Sequence, residues 1–160
     1  LAAPVTAIAQ SGPVPDPRLT ALRCTLRPDG GVDRILHVGT VPVDDAPVLL
    51  GVTLERIVTT LAAVSDAGLV ALRAVTSDAI ATRALAAAGP SEADALATRL
   101  AAAMDVLPRP RFVDVGGRRF VHRNSCCLMC DLSRPQMCIS CPKRIPEERR
   151  ELLARVAAGR

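Results

Sequence analysis

Residues 111–142 read RFVDVGGRRFVHRNSCCLMCDLSRPQMCISCP, and this stretch sets the class of fold. Phe112, Val113 and Val115 precede Gly116–Gly117, and Phe120 and Val121 follow, so short apolar runs flank a two-glycine turn. Paired glycines supply the positive φ of a tight turn, and Arg111 to Arg123 is therefore expected to form an antiparallel hairpin. Five cysteines follow at once within sixteen residues: Cys126, Cys127, Cys130, Cys138 and Cys141. Beyond them Pro146 suits the first position of a helix, with Glu147 and Glu148 favourable to its first turn. The stripe Leu152, Leu153 and Val156 should dock that helix on the body before Gly159.

Upstream, the signals are mostly helical. Ser91 reads as an N-cap, with Glu92 and Asp94 after it, for a helix whose apolar face includes Leu96, Leu100 and Met104. Pro108 and Pro110 close that region. Before it, Leu69 to Ala88 predicts another helix, ending at Gly89. Thr76–Ser77–Asp78 interrupts its apolar run and reads first as a helix boundary; on a continuous helix it would be a polar spot that a ligand could contact. Leu54, Ile57, Val58, Leu61 and Val64 recur at helical spacing, with Gly68 as a stop. Leu22, Cys24 and Leu26 alternate with polar neighbours, Pro28–Asp29–Gly30–Gly31 supplies a turn, and Ile35 to Val41 resumes the apolar pattern, predicting two strands. Cys24 is expected to pack in the core as a small hydrophobe. Pro4, Pro13, Pro15 and Pro17 mark residues 1–18 as an irregular lead-in.

The expected fold is thus α+β: small antiparallel strands, a central helical body, and a C-terminal cysteine-rich cluster loop followed by a helix. It divides into a lead-in over 1–18, a strand and helical body over 19–110, and a hairpin, cluster-binding segment and helix over 111–160. A chain of 160 residues can bury a core without disulfide staples.

Composition narrows the function. Two Phe, no Tyr and no Trp argue against base-stacking platforms and aromatic-lined grooves. Nineteen of the twenty basic residues are Arg, the exception being Lys143. The net charge of +4 is too small for a nucleic-acid footprint, so no nucleic-acid partner is expected. No apolar run is expected to reach the roughly 20 residues of a membrane span. Leu1 stands where Met is usual, as in a fragment, a processed chain or a non-Met start, and LAAPVTAIAQ lacks the basic n-region of a secretory signal. Ten basic and four acidic residues lie from Arg118 to Arg160, so basic charge and cysteines share the C-terminal third. There is no Gly-rich phosphate loop, no G-x-S-x-G, no paired-His metal motif and no dinucleotide fingerprint.

Converging thiolates are soft ligands that select zinc or iron–sulfur clusters, and two frames compete. Cys127-x2-Cys130 with Cys138-x2-Cys141 is a zinc-ribbon style of spacing, with a seven-residue gap shorter than usual. Alternatively, the vicinal pair Cys126–Cys127 stands ten residues before Cys138-x2-Cys141. Adjacent side chains converge awkwardly on one tetrahedral ion, whereas a two-iron cluster offers two centres. Disulfides rank below both, because nothing indicates an oxidising compartment.

Cys-Cys-x10-Cys-x2-Cys near the C-terminus, preceded by Arg123-Asn-Ser and followed by Pro142, resembles the FhuF-type ferric-siderophore reductases. The resemblance implies a 2Fe–2S cluster on Cys126, Cys127, Cys138 and Cys141. It further implies a cytoplasmic enzyme that reduces ferric iron in a siderophore, of hydroxamate type, with electrons from a separate reductant protein or small-molecule donor. Cys130 is additional to the family spacing, and the N-terminal region is short for the family. Arg118, Arg119, Arg123 and Arg134 bracket the cysteines, with Lys143 and Arg144 just beyond; they would tune the potential or dock a partner, or else form a solvated basic face offsetting the thiolates. Arg149, Arg150 and Arg155 read as the wet side of the last helix. His122 reads as a loop-bracing residue rather than a ligand, and His37 carries no assigned role.

Overall fold

Small side chains and backbone breaks, rather than large apolar ones, shape this body. A computed structural model of the protein describes residues 1–126 and 137–159. The elements run α1 (Ala2–Ala9), β1 (Val14–Pro15), β2 (Leu22–Leu26), β3 (Val32–His37), β4 (Thr40–Val41), α2 (Ala46–Val64), α3 (Leu69–Ala102), β5 (Phe112–Val115), β6 (Arg118–Val121) and α4 (Pro146–Ala157). The strands form three antiparallel two-stranded ribbons, β1–β4, β2–β3 and β5–β6, so the mixed α+β class holds.

The core gathers Val5 and Ile8 of α1, Val14 and Val41 of the β1–β4 ribbon, Ala46 and Leu50 of α2, and Ile80, Ala84, Leu96, Ala97 and Leu100 of α3. With alanine at so many central positions the helices approach closely. Gly51 marks the tightest point: a Cβ there would stand 2.7 Å from the carbonyl oxygen of Ala103 and 3.1 Å from Met104 Cγ.

Helix α1 corrects the expectation of an irregular lead-in. Pro4 sits in its first turn, where a missing N–H leaves no helical bond unmade, and Val5 and Ile8 are fully buried against the body. A proline that reads as irregular chain in the sequence is here compatible with a helix start.

Cys24 corrects a second expectation, since it is exposed. The β2–β3 ribbon forms with the predicted turn: Gly30 takes φ 81°, and Asp29 Oδ1 accepts the Gly31 N–H at 2.9 Å. Yet the ribbon stands off the body, and Leu26, Val32, Ile35 and Leu36 are each more than half exposed. Strand alternation is real there, but neither face meets a core. At its base His37 Nδ1 donates to the Asp16 carbonyl oxygen at 2.8 Å.

Helix α2 begins at Ala46, eight residues before the periodic stripe, and its buried face is Leu50, Gly51, Thr53 and Val58. Of the expected stripe, Ile57, Leu61 and Val64 face outward. The helix is also longer as an apolar run than expected: its 19 residues, mean hydropathy 1.6, are long and apolar enough to cross a membrane by length and composition. Glu55 and Arg56 lie within it, and Glu55 pairs with Arg73 of α3.

In α3 the chain runs helically through Thr76–Ser77–Asp78, so no boundary exists there, and breaks instead at Gly89, with φ 75° and ψ 179°. Pro90 then opens the second half, which places Ser91 inside the helix rather than at its cap. Such backbone is essentially restricted to glycine. The β5–β6 hairpin follows expectation: Val115 pairs with Arg118, and Phe112 with Val121, across Gly116 and Gly117 at φ 59° and 76°. Helix α4 starts at Pro146 as expected and buries Leu153.

The break at Gly89 gives a direct test. Gly89→Ala is expected to destabilise the protein by roughly 1–3 kcal/mol, the usual cost of a side chain in that backbone region, read as a lower urea midpoint at unchanged slope.

Candidate metal centre

Ser77 and Asp78 face inward from α3, at 0% and 5% exposure. Ser77 Oγ donates to the Pro108 carbonyl oxygen at 2.7 Å. The Asp78 carboxylate accepts the backbone N–H of Asn124 at 2.8 Å and that of Ser125 at 3.3 Å. Its Oδ2 also lies 3.5 Å from Arg123 Nε, an arginine whose side chain is only 17% exposed. Asn124 is fixed further: its Nδ2 donates to the Arg109 carbonyl oxygen at 3.2 Å and to Ser77 Oγ at 3.4 Å, and its Oδ1 accepts from Arg111 Nε at 2.9 Å. A buried carboxylate needs partners, and those found here are the residues that lead into Cys126.

The second cysteine arm is a turn. The Cys141 N–H bonds the Cys138 carbonyl oxygen at 3.1 Å, and Arg144 Nε donates to the same oxygen at 2.9 Å. Arg144 also donates to the Met137 carbonyl oxygen and pairs with Glu148 of α4. It therefore clasps the turn to the start of the last helix rather than facing a partner. Arg149 half-buries against the same turn, with Nη1 3.5 Å from the Cys141 carbonyl oxygen, which corrects its reading as the wet side of α4. Arg150 and Arg155 are exposed as expected.

These two arms bring Cys126 Sγ and Cys141 Sγ to 3.8 Å. Two thiolates on one tetrahedral ion at about 2.3 Å each would stand about 3.8 Å apart, the edge of the tetrahedron. Cys141 is 1% exposed; burial, with Cys126 and Cys138 nearby, pushes its thiol pKa up, against a lowering hydrogen bond from the Lys143 N–H. Cys138 is exposed, with Arg123 Nη1 at 3.5 Å and Ser140 Oγ at 3.9 Å from its sulfur. Among the described residues no group of three or more His, Cys, Asp or Glu closes on a common point, so two thiols meet and the third stands beside them. Soft donors at a tetrahedral-edge spacing fit a zinc ion or an iron of a cluster. Cys127, Cys130 and Arg134 lie outside the described residues.

The remaining basic residues separate into roles. Arg119 pairs with Asp114 at 2.8 Å and donates to the Pro90 carbonyl oxygen at 2.7 Å, tying β6 to the break in α3. That hydrogen-bonded guanidinium holds the Asp114 carboxyl below its ordinary range. Arg118 lies over the Phe120 ring at 5.4 Å, and Lys143 is exposed beside the turn. Arg118, Arg119 and Arg123 line an open groove of about 420 Å3 between α3 and β6, bounded by Ile139 and Ser140 next to Cys138. His122 sits against α4; burial, with Arg111 and Arg149, lowers its pKa, and Nδ1 has no hydrogen-bond partner among the described residues.

Sequence reasoning missed Asp78 as an anchor. The signal is present in the Ser–Asp interruption of an apolar run, which reads in sequence as a helix boundary or a surface spot rather than a buried brace. Asp78→Ala leaves two backbone donors and Arg123 without their acceptor. It is expected to cost on the order of 3 kcal/mol in urea unfolding of the metal-free protein, against about 1 kcal/mol for Ser77→Ala.

No protein-family model, curated protein or solved structure matches this chain, so the family likeness rests on its cysteine signature.

Proposed function

We propose that Cys126, Cys127, Cys138 and Cys141 hold a 2Fe–2S cluster through which the protein reduces ferric iron in a siderophore chelate, in the cytoplasm. The observation that carries this reading is the 3.8 Å approach of Cys126 Sγ to Cys141 Sγ. It joins the first cysteine of the vicinal pair to the second of the Cys-x2-Cys turn, and the zinc-ribbon frame leaves Cys126 out.

When bound, a cluster of this kind supplies a one-electron store. The chain's own residues do the rest. Asp78 and Asn124 hold one cysteine arm, and Arg144 and Arg149 the other. The groove beside Ile139 and Ser140 receives the ferric chelate, with Arg118 at its rim. A separate reductant, protein or small molecule, gives up one electron, and the ferric iron of the substrate gains one. Hard hydroxamate oxygens hold the ferrous ion far more weakly, so release follows reduction. No side chain forms a covalent bond with the substrate.

Protein purified without oxygen should be red-brown, with about two irons and two sulfides per chain. Cys126→Ser, Cys127→Ser, Cys138→Ser and Cys141→Ser should each lose most of that absorbance, and Cys130→Ser should retain it. One zinc per colourless chain, lost with Cys130→Ser and kept with Cys126→Ser, would replace this reading with a structural ribbon. A loaded, reduced protein unable to reduce ferric desferrioxamine B or other ferric siderophores would make it an electron carrier instead.

A further inference from the structure

The three described cluster thiols do not share one environment. Cys141 is sealed in the body, with its sulfur 3.8 Å from that of Cys126. Cys138 is exposed beside the groove, and its sulfur takes a cation, Arg123 Nη1 at 3.5 Å. That guanidinium is itself held from behind: its Nε lies 3.5 Å from the Asp78 carboxylate. Asp78 in turn is fixed by the Asn124 and Ser125 N–H groups. So α3, Asp78, Arg123 and Cys138 form one continuous line from a rigid helix to a solvent-facing sulfur.

A hydrogen bond from a cation to a ligating sulfur stabilises the extra negative charge that reduction brings, and so raises the reduction potential. The effect falls off with distance, so an arginine clamped on one sulfur acts most on the iron which that sulfur holds. We infer that Arg123, oriented by Asp78, is a positioning residue that draws the stored electron to the iron bound by Cys138, on the groove side, while Cys126 and Cys141 share the inner iron. This rests on the two-iron reading above. The electron comes from the external reductant; one ferric iron becomes ferrous, and no bond is made or broken. The electron then lies on the side where an acceptor can approach, separated from the groove by Ile139 and Ser140.

The test compares wild type, R123M, R123K and D78N, each loaded with 57Fe, by dye-mediated redox titration and by Mössbauer spectroscopy of the reduced protein. R123M is expected to lower the reduction equilibrium about tenfold or more, equivalent to about 59 mV for one electron. It should also change the quadrupole splitting of the ferrous component while leaving the ferric component in place. R123K, which keeps the charge, should recover part of the loss, and D78N should fall between wild type and R123M. A loaded R123M that titrates with wild type, or one in which the ferric component changes instead, overturns the role of Arg123 alone. A wild-type protein without iron and sulfide defeats the cluster reading itself, and this inference with it, before any variant is made. Should R123M not retain iron, R123K and D78N decide: lowered potentials in both sustain the inference, and wild-type potentials in both overturn it.

Discussion

The carboxylate of Asp78 is the point on which the functional half of this molecule turns. An ionised group removed from water is costly unless its charge is met, and here the partners are two backbone N–H groups and one guanidinium from three consecutive residues, Arg123, Asn124 and Ser125. The chain therefore has a strong reason to cross α3 at one place, immediately before Cys126. Remove that demand and the cysteine arm keeps only the hairpin and the side-chain bonds of Asn124 behind it. The opposite arm obeys the same logic with the signs exchanged, because Arg144 satisfies the carbonyl oxygens of Met137 and Cys138. One carboxylate gathers donors, one guanidinium gathers acceptors, and the thiols of Cys126 and Cys141 meet between them.

What local chemistry dictates was readable from the residues. Two glycines between apolar runs made a hairpin of two-residue loop, Gly89 ended a helix, and Pro146 with two glutamates began one, because each depends on the residue's own backbone or charge. What depends on a distant surface was not. Cys24 alternates as a buried strand residue would, but whether a ribbon has a core beneath it is decided by the rest of the chain. Likewise α1 is only eight residues long, too short to stand alone, and is held by burial of Val5 and Ile8 on the body. Its one proline, Pro4, costs little only because it falls in the first turn.

The site divides along the same line. The cysteines stood out by their density in the sequence, and Cys126, Cys138 and Cys141 occupy one neighbourhood. The roles of the arginines were not legible, because proximity in sequence does not say which carboxylate or carbonyl each will find. Arg119 braces β6 on the break in α3, Arg144 and Arg149 brace the Cys138–Cys141 turn, and Arg123 reaches the Cys138 sulfur. Ser77 and Asp78 were visible as an oddity in an apolar helix, and their inward direction came from a hairpin some forty residues later in the chain.

The hairpin that leads to the cysteines is mounted on α3 at two places, the Pro90 carbonyl oxygen through Arg119 and the Asp78 carboxylate through Asn124. The two mounts lie on either side of the break at Gly89, one three turns before it and one just after. One mount would let the ribbon pivot about its contact, carrying the sulfurs with it. Two mounts convert the same thermal energy into a smaller swing at the tip. The break at Gly89, which looks like a flaw in the helix, supplies the second mount and so steadies the approach to the cysteines.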